Sequence, residues 1–176
     1  MSVTVCYAAK GGSGTTVVSA TLALCCPTDS LLVDLDGELP AVLGMLEPSG
    51  QGLSDWLASD APAPALGDLA VDVDRTTRLI PRGPRPVDRE SPRWPELFSW
   101  LATRHMPVID AGTRPPAAAF EIDDVRSLLV TRACYLAMRR AVAAPCRPDG
   151  VVLVSEPGRS LRASDVARTI GAPVVA

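Results

Sequence analysis

Residues 2–26 constrain the fold more than any other stretch. An apolar run, Ser2-Val-Thr-Val-Cys-Tyr-Ala-Ala9, leads into Lys10-Gly11-Gly12-Ser13-Gly14-Thr15-Thr16. A small-residue segment follows and is stopped by Pro27. The pattern predicts a strand, a glycine-rich turn and a helix from Gly14 to Cys26. At such a junction successive backbone N–H groups point inward and the helix dipole adds partial positive charge, which makes an anion site. Gly11, Gly12 and Gly14 let the backbone curl around a phosphate with no Cβ in the way. Thr16 stands where a hydroxyl can reach Mg²⁺ beside that phosphate. Of seventeen cationic residues sixteen are arginine, and the one lysine, Lys10, falls inside this loop. A slim ammonium on a flexible stem suits a phosphate lip where a planar guanidinium does not fit.

The rest of the chain alternates strand and helix signals, the pattern of a mostly parallel twisted sheet with helices on both faces. Expected strands are Ser30–Asp34, Pro107–Asp110, Ser127–Thr131, Gly150–Val154 and Ala172–Val175. Leu69–Val73 and Thr77–Ile80 read as a strand pair, or as one strand with a lead-in. Expected helices are Pro40–Glu47, Leu53–Ser59, Pro95–Arg104, Tyr135–Ala144 and Arg162–Ile170. Ala61–Ala65 is expected to be a surface loop, as is the segment 81–95 with its five prolines and four arginines. No repeat or composition shift divides the chain, so residues 1–176 are expected to form one α/β domain. It is expected to end on a strand whose edge a further helix would normally cover, the mark of a trimmed or minimal version of the fold.

Lys10-Gly11-Gly12-Ser13-Gly14-Thr15-Thr16 resembles the deviant Walker A motif of the ParA/MinD family of P-loop NTPases, whose form is K-G-G-x-G-K-[ST]. Further resemblances come in the family's order. Leu31-Leu-Val-Asp34-Leu-Asp36-Gly37 resembles its second strand and switch I carboxylates. Gly52-Leu53-Ser54-Asp55 resembles a common turn, and Val108-Ile109-Asp110-Ala-Gly112 resembles Walker B and switch II. The departure is Thr15, where the family has a second lysine that touches the phosphates of its own subunit. The resemblance implies that Gly11 to Thr16 bind ATP phosphates and that Lys10 reaches the phosphates of a partner subunit. It implies Mg²⁺ near Thr16, Asp34 and Asp110, with Asp36 orienting the attacking water and the Gly112 N–H sensing a γ-phosphate. Ser155 stands where the family often presents a purine-binding Asn.

Two functions stay open from these residues. One is a nucleotide-dependent dimerising switch that positions a cargo (DNA, division machinery, or pilus and secretion assemblies of the CpaE/TadZ-like kind), with ATP bound weakly or only in the homodimer. The other is an inactive pseudo-ATPase scaffold for a protein partner, with Thr15 as the scar. If active, the protein is an ATPase. The net charge of −3 disfavours generic DNA binding. The five cysteines show no cluster spacing, which removes an iron–sulfur ATPase and suits reduced thiols. No apolar run is long enough to cross a bilayer, and no basic leader precedes Val3, so a cytoplasmic protein is expected. His105 reads as a solvated residue at a helix end. Trp94 and Trp100 read as core anchors, and Arg75, Arg78, Arg82, Arg85, Arg89 and Arg93 as a solvated run or a docking surface.

Overall fold

The computed structural model describes residues 2–158 and 161–176. Strands β1 (Val3–Tyr7), β2 (Ser30–Asp34), β3 (Val71–Asp72), β4 (Thr77–Ile80), β5 (Pro107–Asp110), β6 (Val125–Arg132) and β7 (Gly150–Val154) form one sheet. Its order is β3-β4-β2-β5-β1-β6-β7. All pairings are parallel except β3 with β4. Residues 173–176 extend the β7 edge: Val151 and Leu153 donate to the carbonyls of Pro173 and Ala176 at 2.8 and 2.7 Å. Only one bridge forms there, Val151 with Val174, so the expected last strand is a short strand-like tail.

The strands are apolar on both sides because helices cover both faces. On one face α1 (Thr15–Leu24) and α2 (Leu39–Val42) close over Cys6, Leu32, Leu79, Val108, Leu128 and Val130. α1 meets the sheet through Ser19, Ala20 and Ala23, all buried, and such small side chains let helix and strands come close. On the other face lie α3 (Leu53–Leu57), α4 (Trp94–Leu101), α5 (Tyr135–Val142) and α6 (Ala163–Ile170). In α4, Trp94, Leu97, Phe98 and Leu101 recur at helical spacing, and all four are buried. Each such side chain contributes about 1.5–3 kcal/mol on full burial. Trp94 and Trp100 are core anchors, as expected.

The structure corrects several boundaries. Ala63–Leu69 is a 3₁₀ helix, which takes over part of the expected loop and the start of the expected third strand. α4 ends at Leu101, so exposed His105 lies in the turn beyond it, one residue before Met106 at φ 33°. The arginine run is not simply solvated. Arg82, Arg89 and Arg93 turn inward, whereas Arg75, Arg78 and Arg85 are exposed. Arg93 donates to the carbonyls of Trp56, Ser59 and Ala61, and its guanidinium lies 3.6 Å from the centre of the Trp56 ring. That one side chain ties the start of α4 to the end of α3.

Candidate phosphate-binding site

β1 is internal, and the chain crosses from it to β2 on one side and arrives at β6 on the other. The reversal opens a crevice at the carboxyl ends of β1 and β5, where ligands gather in open parallel sheets. Three backbone bonds set the rim. Ala8 donates to Gly112, Ala111 to Cys6, and Leu35 to Asp110, at 2.8, 2.9 and 3.0 Å. The glycine loop occupies this rim. Gly12 and Gly14 have φ of 76° and 96°, which a side chain would strain, and Gly14 caps α1. A Cβ at Gly11 or Gly12 would meet nothing within 4 Å, so the loop's outer side is open. The Ser13 hydroxyl donates to the Lys10 carbonyl at 2.8 Å and pins the turn.

A cavity of about 260 Å³ lies against this loop, lined by residues 11–17, Asp36, Gly112 and Thr113. It brings together most of the residues singled out in the sequence. Lys10, Asp34, Asp110 and Ser155 are outside its lining, in different ways. Lys10 is half-buried at the lip, and its ammonium donates to the Gly11 carbonyl at 3.1 Å. Ser155 is exposed just after β7, whose last residue, Val154, borders Gly14.

Asp34 and Asp110 are register partners on β2 and β5, and Cys6 of β1 partners Asp110 in turn. Parallel pairing turns all three toward the α1 face. Asp34 is fully buried and spends both oxygens on the following turn. Oδ1 accepts from the amides of Asp36 and Gly37 at 3.1 and 2.7 Å, and Oδ2 accepts from Leu39 at 3.0 Å. Burial raises its pKa and these amides oppose that rise. Asp34 thus shapes the turn that carries Asp36. Asp110 is equally buried but differently employed. Oδ1 accepts from the Gly112 amide at 3.2 Å, while Oδ2 has no protein partner. Burial pushes its pKa up to about 6, against hydrogen bonding from Thr16 and Gly112 and helped by the charges of Asp34 and Asp36. A buried carboxylate that keeps one oxygen without a donor and interacts with the hydroxyl of Thr16 fits a hard cation. Mg²⁺ is held by one or two protein oxygens, waters and phosphate, so the set is sufficient. Among the described residues no cluster of three or more His, Cys, Asp or Glu exists to hold a metal by itself.

Thr15 is buried at the first turn of α1, 7% exposed. Asp36 extends over Gly112: its Oδ2 lies 1.6 Å from where a Gly112 Cβ would stand, and Gly112 has φ 58°. Asp36 is held from behind by two arginines that sequence reasoning missed. Arg89 Nη2 donates to its Oδ1 at 2.7 Å and to the Leu35 carbonyl at 3.0 Å, and Arg82 Nη1 donates to its backbone carbonyl at 2.9 Å. The turn at Gly52 anchors the loop carrying them, because Leu53 and Ser54 donate to the carbonyls of Pro81 and Arg82. No periodicity in the proline-rich run marks which guanidinium turns inward.

No protein-family model matches the sequence, and no curated protein matches it significantly. Solved structures do match. A ParA family ATPase from Chlorobium tepidum superposes with TM-score 0.75 at 18% identity, over 99% of this chain and 83% of that one. The MinD cell division protein of Aquifex aeolicus gives 0.73 at 19%, over 99% and 80%. Cobyrinic acid a,c-diamide synthase of Mycobacterium smegmatis, with bound ADP and magnesium, gives 0.62 at 20%, over 97% and 82%. Identities this low speak for fold, and the neighbours span division, partition and biosynthetic proteins. The parallel sheet, the glycine loop between β1 and α1, and these likenesses together establish the ParA/MinD-like P-loop NTPase fold.

Proposed function

We propose that this chain is a nucleotide-dependent switch of the ParA/MinD kind, binding Mg-ATP weakly as a monomer and more firmly as a homodimer that positions a cargo in the cytoplasm. The observation that carries this reading is the convergence of the glycine loop, Thr16, Asp36 and Gly112 on one cavity, with Asp110 outside the lining and in contact with Thr16. The backbone amides of residues 11–16 would donate to phosphate oxygens, and the α1 dipole would add to their pull. Thr16 and Asp110 would hold Mg²⁺, which when bound neutralises phosphate charge. Asp36 would orient the attacking water, and protein catalysis of phosphoryl transfer is mainly such positioning. Lys10, at the exposed lip, would serve the partner subunit. ATP as the nucleotide and a protein adaptor as the partner rest on the resemblance to this family.

A second reading, an inactive scaffold, is favoured by charge. Among the described residues Asp36 is the only charged side chain lining the cavity, and Thr15 is neutral and buried. Steady-state ATPase assays with light scattering, on wild type and Lys10→Ala, separate the two. The switch reading expects slow turnover that rises with protein concentration, and a nucleotide-induced dimer that Lys10→Ala abolishes. A wild type that stays monomeric and turns over no ATP at any concentration supports the scaffold. Robust turnover by the monomer refutes the weakened, dimer-coupled site.

A further inference from the structure

The phosphate cavity has an electrostatic problem. A triphosphate brings several negative charges to a lining whose one charged side chain, among the described residues, is the carboxylate of Asp36. Asp110 and Asp34 lie outside its lining but are acidic too, and the charges of Asp34 and Asp36 both act on Asp110. Position 15, which supplies a lysine in the resembling motif, supplies none. Lys10 is turned to the carbonyl of Gly11. Among the described residues, the one positive charge paired with the Asp36 carboxylate is that of Arg89, 53 residues along the chain and 2.7 Å away.

Arg89 is built into this position. Its side chain is 12% exposed, its Nη2 is fixed by the Leu35 carbonyl as well as by Asp36, and Arg114 is near enough to act on it as a like charge. Its Nε and Nη1 are buried without any acceptor, so the guanidinium has donor capacity that the protein leaves unused. An exposed ion pair of this kind is worth little. A buried one with spare donors costs desolvation that packing alone does not offset.

We propose that Arg89 is a charge-compensating positioning residue: by pairing with Asp36 it neutralises the one anionic wall of the phosphate cavity and so stands in, from the 81–93 loop, for the charge that Thr15 lacks. The inference rests on the phosphate-site reading above and deepens it. Arg89 acts through Asp36, so its effect grows with the phosphate charge brought near that carboxylate. It is larger for ATP than for ADP.

The test measures Mg-ATP and Mg-ADP affinity by titration calorimetry for wild type, Arg89→Gln, Arg89→Lys, Asp36→Asn and the double variant Asp36→Asn/Arg89→Gln, with melting curves to verify folding. Exposing an unpaired carboxylate to a further phosphate charge about 6 Å away weakens binding by roughly ten- to a hundredfold at an effective dielectric of about 20–40. Arg89→Gln should lose about that much for ATP and clearly less for ADP. Arg89→Lys should recover most of it. Asp36→Asn should tighten ATP more than ADP, and adding Asp36→Asn to Arg89→Gln should restore ATP affinity. Should Arg89→Gln fail to fold, Asp36→Asn and Arg89→Lys still decide the matter. Equal losses for ATP and ADP, no rescue in the double variant, or unchanged ATP affinity in Asp36→Asn overturns the proposal while leaving the nucleotide site standing. A wild type that binds neither nucleotide overturns the site and this inference with it.

Discussion

Asp110→Asn is expected to make the metal-free protein more stable at neutral pH, even though it removes the carboxylate proposed to hold Mg²⁺. Asp110 is fully buried, and Oδ2 has no donor. Its pKa moves from 3.8 to about 6, chiefly through burial. A carboxyl group whose folded pKa is raised keeps its proton longer in the folded than in the unfolded chain. Between about pH 4 and pH 6 the folded state binds more protons, so stability falls as pH rises through that window and stays lower above it. The displacement corresponds to about 3 kcal/mol as an upper limit at pH 7. Asparagine retains the shape and the acceptor for Gly112 without the charge. Urea denaturation of wild type and Asp110→Asn at pH 4.5 and 7.5 checks this. The variant should gain about 1–3 kcal/mol over wild type at pH 7.5 and much less at pH 4.5, relief of the repulsion between Asp110 and Asp34 acting in the same direction. With Mg-ADP the order should reverse, because wild type alone gains from bound metal. A variant less stable than wild type at pH 7.5 without metal would refute the claim that Asp110 is held at a cost for its ligand.

Three further outcomes are expected. Thr15→Lys should tighten Mg-ATP binding about ten- to a hundredfold by calorimetry, the worth of a charged phosphate contact. Gly112→Ala should cost about 1–3 kcal/mol in denaturation and weaken nucleotide binding, because φ 58° disfavours alanine and its Cβ would displace the Asp36 carboxylate. Arg93→Ala should lower stability by about 2–4 kcal/mol, losing three carbonyl contacts and the Trp56 stack, while nucleotide affinity of the folded protein stays unchanged.

The site's backbone was legible in the sequence because its signals are local. β1 is five consecutive buried residues, and two of the loop's glycines, Gly12 and Gly14, sit where positive φ is needed. Asp34 and Asp110 could be placed at strand ends from short apolar runs, Leu31–Val33 and Val108–Ile109. What each carboxylate does was not legible. The register that sets Asp34 beside Asp110, and the turn that occupies both Asp34 oxygens, are tertiary facts. β6 begins at Val125, two residues before the expected Ser127, because exposed Arg126 breaks the apolar run while Val125 is buried and pairs with Val3. Arg89 was the largest omission. In a run of prolines and arginines each guanidinium looks alike, and its partner lies 53 residues away. The 3₁₀ helix at Ala63–Leu69 was hidden in the same way, since alternating Ala and Pro is as good a loop signal as a helical one.

The central claim is that residues 10–16 hold the phosphates of a nucleotide. Its most direct test is a titration of ¹⁵N-labelled protein with Mg-ADP and Mg-ATP, following backbone amide shifts. The account predicts the largest shifts at the amides of Gly11, Gly12, Ser13, Gly14, Thr15 and Thr16, with Asp36 and Gly112 following for ATP. Saturating nucleotide that leaves these amides unmoved, or moves instead those around the separate apolar cavity near Tyr7 and Phe120, would contradict it.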